Sequence, residues 1–242
     1  MQIIKLNATA STNDYLKKMI PEGMLNDFSV VLADNQTNGR GQRGASWITE
    51  QGKNLTFSVL KKYAPISIDA QFSLNTIVSL SIIKALEGYS VPKLAIKWPN
   101  DILSDGYKIS GILIENLIKN QRIEYSVIGI GLNVNQVLFE GLSKVSSLKT
   151  ILQRPVNREA LMSKILLNLK HYFERYLING TKALNAEYES YLFKKDKPST
   201  FRSPKNELFT GIIRGVSVSG KLCVQLENTL EEFDLKELKL MY

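Results

Sequence analysis

One cysteine and one histidine are all that this sequence holds of the two most versatile catalytic and metal-ligating side chains. With Cys223 alone no internal disulfide can form, which fits a reducing compartment. With His171 alone, a metal site built on His and Cys has almost no scope. Coordination of Mg2+ by carboxylate and phosphate stays open. The opening stretch "MQIIKLNATASTNDYLKK" lacks a basic segment followed by an apolar core, so it does not read as a secretory leader. No apolar run reaches the ~20 residues of a membrane span. The longest helical one, Ile77 to Leu86, is broken by Ser79, Ser81 and Lys84. These absences lead us to expect a cytoplasmic protein with no membrane contact.

What is present is ordinary for a globular chain: 242 residues, 44% hydrophobic and 22% charged, enough for one or two domains around a sizeable core. Disordered and fibrous classes are excluded on that ground. The 31 basic residues exceed the 23 acidic ones by eight, and they are spread along the chain. Such an excess suits a solvated basic surface, an anionic small substrate, an acidic protein partner or nucleic acid; charge alone does not choose.

The hydrophobic pattern predicts an α+β fold. "QIIKLN", "FSVVLADN" and "NLTFSVLK" read as strands, and "STNDYLKKMI" reads as a helix with a capping start. Residues 69–88 fit a mostly buried helix closed by Gly88. "LAIKW", "DIL", "KISGILIENLI" and "RIEYSVIGIGLNV" follow as a meander, antiparallel because its connections are too short for helical crossovers. Two helices come next, the first through Met162 to Tyr176 and the second over about 182–193. His171 lies in the first, and Cys223 lies in a later apolar strand; both read as structural. A charged segment with two prolines, 194–206, reads as a domain boundary, giving a catalytic domain over 1–195 and a small C-terminal β domain over 196–242. Three strands, "LFTGIIRGV", "KLCVQL" and "LEEFDL", are predicted in the latter.

Gly39, Gly41 and Gly44 spell G-x-G-x-x-G, the dinucleotide fingerprint. That motif needs a helix directly after it and an acid about 20 residues on. Here a Gly-Lys-Asn turn and a strand follow, and Ser58, Val59 and Leu60 stand at the acid's position. The fingerprint is rejected, and no Walker Gly-Lys-Ser/Thr is present either. What remains is a loop with Arg40 and Arg43 among glycines, able to converge backbone N–H groups and guanidinium forks on an anion. Three further segments carry chemistry-bearing side chains: Lys97-Trp98-Pro99-Asn100-Asp101 at a strand end, Lys108 to Glu115, and Gly129 to Asn135. In the second, strict alternation puts Lys108, Ser110 and Ile112 on one strand face and Gly111 on the other. Each segment alone could be a plain turn or strand end; the four in order form a pattern.

The ordered set Ser11-Thr12-Asn13, Gln36 with Gly39-Arg40-Gly41, Lys97 to Asp101, Lys108-x-x-Gly111 and Gly129-x-Gly131-x-Asn133 resembles biotin protein ligase. The resemblance implies a mixed, largely antiparallel sheet flanked by helices (a class II synthetase-like catalytic domain) with a small C-terminal SH3-like β-barrel. It implies an ATP- and Mg2+-dependent ligase. Biotin becomes biotinyl-5'-AMP, and the acyl group passes to a lysine of a biotin carboxyl carrier protein. On that pattern Lys108, Arg40 and Arg43 are the catalytic cations. Ser11, Thr12, Asn13, Gln36, Gly39, Arg40, Gly41, Gln42, Trp47, Lys108, Gly111 and Gly131 hold biotin. Lys97, Asn100, Asp101, Gly129 and Asn133 hold ATP, and Asp101 is the Mg2+ carboxylate. One departure stands out: the commonest family loop reads Gly-Arg-Gly-Arg, and here the fourth residue is Gln42.

Some members of that family carry an N-terminal DNA-binding domain; with a first strand near Gln2 none is expected here, and the basic charge is matched to ATP and an acidic carrier instead of DNA. Family members are monomers or homodimers. Two alternatives are set against this reading. A lipoate protein ligase would share the fold and the lysine-x-x-glycine strand but not the KWPND turn. A non-catalytic nucleic-acid-binding protein would use the charge, but no aromatic-studded basic strand motif appears.

Overall fold

The computed structural model describes residues 1–23 and 25–242, apart from the side chains of Arg43, Ala64 and Pro65. Seven strands form the main sheet: β1 (Ile3–Thr9), β2 (Val30–Gln36), β3 (Leu55–Ser67), β4 (Leu94–Lys97), β5 (Asp101–Ser104), β6 (Tyr107–Lys119) and β7 (Arg122–Leu132). Their order is β1-β2-β3-β7-β6-β5-β4. Only β1 and β2 run parallel, joined by helix α1 (Thr12–Met19); every other pairing is antiparallel. The α+β, largely antiparallel expectation is thereby met.

The sheet's two faces are built differently, because side chains alternate along each strand. Leu55, Phe57 and Val59 of β3 and Ile128, Ile130 and Leu132 of β7 enter the main core. Against them pack α2 (Gln71–Glu87) and α4 (Arg158–Asn179). Helix α2 is buried almost all round, which explains its lack of a polar face. The opposite face carries α1 and a smaller cluster of Leu16, Leu25, Val31, Leu60 and Val127. On this second face the polar Thr56 and Ser58 of β3, and Gly129 and Gly131 of β7, alternate with the core residues. A site can form there because side chains small enough to leave space, or polar enough to bind, replace apolar filling.

Helix α1 begins where Ser11 caps it, its side chain accepting from the Asp14 amide at 3.4 Å. Asp14 in the first turn and Lys17 and Lys18 in the last complement the helix dipole. Short helices α3 (Leu148–Leu152) and α5 (Lys182–Ser190) complete the helical set, α3 being unforeseen in the sequence. No helix among the described residues is long and apolar enough to cross a membrane.

The C-terminal residues form a second, antiparallel sheet of five strands: β8 (Pro198–Arg202), β9 (Leu208–Val216), β10 (Leu222–Leu226), β11 (Thr229–Phe233) and β12 (Lys239–Met241), in the order β11-β10-β9-β8-β12. Three of these match the predicted strands. The boundary segment 194–206 is not an open linker: it holds β8, whose Ser199 and Phe201 are buried. The sheet is tied to the body. The Trp98 indole N–H donates to the Gly220 carbonyl at 2.9 Å, and Glu189 accepts from the Val216 amide at 3.0 Å. Gly220, with φ of +87°, lies so close to Phe72 that a side chain would collide with its ring.

Candidate active site

A cavity of about 550 Å³ opens on the α1 face of the main sheet and extends to the C-terminal sheet. At one end it is lined by Ser11, Thr12, Asn13 and Gln36, with Arg40, Gly41, Gln42 and Trp47 of the glycine–arginine loop above them. At the other end stand Lys97, Asn100, Asp101 and Lys108. Gly111, Gly129 and Gly131 form the floor between. Residues predicted from distant parts of the chain thus share one cavity. Gly39 is not among the lining residues; it supports the loop, where an added Cβ would collide with the Trp47 carbonyl and lie 3.0 Å from Gln36 Nε2. Asn133 is not among the lining residues. It is buried behind them, where its amide donates to the Ser146 carbonyl at 3.1 Å, the position of a strut. The side chain of Arg43 lies outside the described residues.

The polar end is preorganised. Thr12 donates to Gln36 Oε1 twice, from its amide at 2.7 Å and its hydroxyl at 3.0 Å. With its oxygen so engaged, the Gln36 amide is oriented with its Nε2, a donor, turned away from Thr12. Asn13 donates to Leu113 O at 3.3 Å and Glu115 Oε2 at 2.7 Å, while its Oδ1 lies 2.5 Å from Ser58 Oγ. Ser58 is also 2.7 Å from Thr12 Oγ1 and is fully buried. Ser58 and Glu115 are the residues that sequence reasoning missed. Their signal is only that they are polar residues on a strand face otherwise meant for packing.

The loop closes on itself as a narrow turn: Trp47 N–H donates to Gly39 O at 2.9 Å and Gly41 N–H to Ala45 O at 2.6 Å. It returns Trp47 onto the floor, where the indole ring fills the space next to Gly131 and Gly111. The indole N–H is buried there and has no hydrogen-bond partner among the described residues. Arg40 is bound to Asp14 at 2.5 Å and approaches Glu115 at 3.6 Å. Lys17 completes this group with contacts of 3.0 Å to Asp14 and 2.8 Å to Glu115. Burial alone would lower the Lys17 pKa, but its hydrogen bonds to Glu115 and Asp14 outweigh that and hold it above the ordinary lysine value.

At the other end Lys108 Nζ lies 2.6 Å from Asp101 Oδ1 and 5.7 Å from the Trp47 ring. The strand alternation expected for Lys108 and Gly111 is corrected by the structure. The β5–β6 register shifts: Ile102 faces Ser110, but Leu103 faces Lys108. One extra residue, Ile109, is absorbed, so Lys108 joins Gly111 on the cavity face, its Nζ 3.5 Å from where a Gly111 Cβ would lie. Ser110 and Ile112 are buried, Ser110 donating to Gly131 O at 2.6 Å. Asn100 is held by a bond to Ile112 O at 2.8 Å. Lys97 rests 4.8 Å from the Tyr242 ring. Burial pushes its ammonium below the usual lysine range, Asp101 opposes this, and Lys108 and Lys239 add to it.

This arrangement offers amide and hydroxyl groups for an uncharged polar group at one end and, at the other, three lysines (Lys97, Lys108 and Lys239, which also lines the cavity) with one carboxylate for phosphate. The chain belongs to the Biotin/lipoate A/B protein ligase family, whose pattern it matches over residues 6–133. It is similar to the bifunctional ligase/repressor BirA of Bacillus subtilis, 27% identical over 97% of this chain and 72% of the relative. It is equally similar to the biotin--[acetyl-CoA-carboxylase] ligase of Mycobacterium tuberculosis, 27% identical over 90% of this chain and 81% of that one. Among solved structures, the biotin protein ligase of Aquifex aeolicus in complex with biotin and ATP superposes with a TM-score of 0.82 at 25% identity, covering 99% of this chain and 98% of the other.

Proposed function

We propose that the chain is an ATP-dependent biotin ligase that activates biotin as biotinyl-5'-AMP and transfers it to a lysine of a biotin carboxyl carrier protein. The observation that carries this is a single cavity with the polar Ser11–Thr12–Gln36 end and the Lys97–Asp101–Lys108 end joined by a glycine floor, in a chain of the biotin/lipoate ligase family. The Mycobacterium tuberculosis relative is named for biotin and the Aquifex aeolicus structure for biotin and ATP, which favours the biotin reading over lipoate and over a non-catalytic nucleic-acid-binding protein.

In the first half-reaction a carboxylate oxygen of biotin attacks the α-phosphorus of ATP, a P–O bond forms, and pyrophosphate leaves with the electron pair of the bond that breaks. Two anions must meet, so the protein's contribution is positioning and positive charge, with no protein nucleophile required. Lys108, at the Asp101 end and beside the Gly111 floor, would neutralise that repulsion. Lys97 and Asn100 would hold the nucleotide. In the second half-reaction the acceptor's amine attacks the acyl carbon and AMP departs. The glycine–arginine loop and Trp47 would cover the anhydride against water until then.

Mg2+ is normally held by one or two carboxylates together with substrate phosphates. Among the described residues no three His, Cys, Asp or Glu gather into a protein-only metal site. Asp101, with a side chain 17% exposed in the cavity, fits the shared kind of site and would hold the ion. Bound there, Mg2+ supplies charge neutralisation at the phosphates. The division into a catalytic domain over 1–195 and a C-terminal domain over 196–242, a cytoplasmic location, and action as monomer or homodimer without DNA belong to the same proposal.

ATP–pyrophosphate exchange with Mg2+, run with biotin, lipoate and no acid, tests it. Exchange with biotin alone is expected. Exchange with lipoate alone would move the activity to the sister branch, and exchange with neither would sink the ligase reading.

A further inference from the structure

Four charged side chains form a closed cluster beside the polar end of the cavity, and they come from three separate elements. Asp14 and Lys17 lie on α1, Glu115 on β6, and Arg40 in the glycine–arginine loop. Two anions balance two cations, so the cluster adds no net charge to the cavity. Glu115 is its hub because it uses both oxygens. Oε1 receives Lys17 at 2.8 Å and faces Arg40 at 3.6 Å, and Oε2 accepts from Asn13 Nδ2 at 2.7 Å.

Two consequences follow from that division. A carboxylate only accepts hydrogen bonds, so the Asn13 amide must turn its NH2 toward Glu115 and its oxygen toward Ser58. The loop, in turn, has few ties to the body. Among the described residues, the Arg40 contacts to Asp14 and Glu115 are the only side-chain ion pairs or hydrogen bonds that leave residues 39–46. The glycines on either side of Arg40 give the loop no side-chain anchors of their own.

We propose that Glu115 is a positioning residue for the biotin end of the site, holding Arg40, and so the loop, against α1 while it sets the orientation of Asn13. The role rests on the biotin reading of the cavity given above. It also assigns Arg40 a different task from the catalytic one implied by the resemblance: its guanidinium is committed to Asp14 and steadies the loop. Glu115 touches no reacting atom, and its effect is transmitted through Arg40 and Asn13.

The test compares wild type with Glu115→Gln, Glu115→Ala and Glu115→Asp. Three readouts are taken: amide hydrogen exchange over residues 39–47 in the ligand-free protein, the KM for biotin and for ATP in ATP–pyrophosphate exchange, and the unfolding midpoint. Glu115→Gln keeps an acceptor for Asn13 but loses the charge facing Arg40 and Lys17. It should exchange faster over 39–47 and raise the KM for biotin about fivefold, as expected for loss of a partly exposed ion-pair network. The KM for ATP and kcat should stay within about twofold, the scatter expected of an untouched step. Glu115→Ala should do more, and Glu115→Asp should recover part of the loss. Unchanged loop exchange and unchanged biotin KM in an active enzyme would overturn the role of Glu115 alone. So would equal rises in both KM values in step with lost stability, the mark of a merely structural residue. Wild-type protein without any biotin-dependent exchange would overturn the biotin reading, and with it this assignment, whatever the loop does.

Discussion

The indole of Trp47 and a side chain at position 131 exclude one another: a Cβ built on Gly131 would lie 2.7 Å from the indole Nε1. Gly131→Ala should therefore expel the ring from the cavity floor. The methyl group also intrudes on the space that the ring or a ligand uses. Tryptophan emission should shift to the red, judged against Trp47→Phe, and biotin affinity in calorimetry should fall about tenfold or more. Emission and affinity both equal to wild type would refute this placement of Trp47.

Lys108 borders the Gly111 floor, and its ion pair among the described residues is with Asp101 at 2.6 Å. Lys108→Ala should abolish biotin-dependent pyrophosphate release while largely sparing biotin binding, because the hydroxyl and amide contacts at the other end are untouched. Loss of adenylation by a factor of about 10² to 10³ is the scale of removing one preorganised electrostatic group. Retained turnover with lost biotin binding would contradict the role.

Gln42 opens the short turn over 42–44 and lines the cavity, and the loop lacks a charged clamp at this place. Gln42→Arg should slow the escape of biotinyl-AMP into solution, followed by trapping with a free amine. An unchanged or faster release would show that the loop's charge at this position does not govern retention.

Glu87, at the end of α2, accepts from the Tyr191 hydroxyl at 2.5 Å and pairs with Lys84 at 3.0 Å. Partial burial would raise its pKa, but the Tyr191 and Lys84 bonds prevail and hold it below the ordinary glutamate value. A depressed folded-state pKa gives stability that is present above the unfolded value and is lost as pH falls through the folded one. Glu87→Gln should therefore be less stable than wild type near pH 7, with the difference shrinking toward about pH 3. The carboxylate is 39% exposed, so the difference will be small and salt-sensitive. Denaturant titration at both pH values decides, and a gap that widens on acidification would reverse the sign.

Strand and helix identities were legible wherever side-chain period and burial agree, as in β2, β3, α2 and α4. The C-terminal β8 was not, because the prolines and lysines of the segment 194–206 around it read as a linker; pairing with β9 and β12 and burial of Phe201 make it a strand. The site's membership was legible because its residues are unusual types at turns and strand ends. Its wiring was not. The register shift that turns Lys108 toward Gly111 depends on pairing with β5, which a local alternation rule does not see. Ser58 and Glu115 look like ordinary strand residues until α1 is laid across them. Asn133 looks like a ligand until its amide is found spent on Ser146.

The far wall of the cavity is supplied by Ile213, Leu222, Leu235, Leu238 and Leu240, all from the C-terminal sheet and the turns that join it. All five follow the main sheet in the chain. The groups that would bind the substrates and the wall that would keep water from them are thus carried by separate stretches of sequence, so substitutions in the wall can alter shielding without touching a binding group.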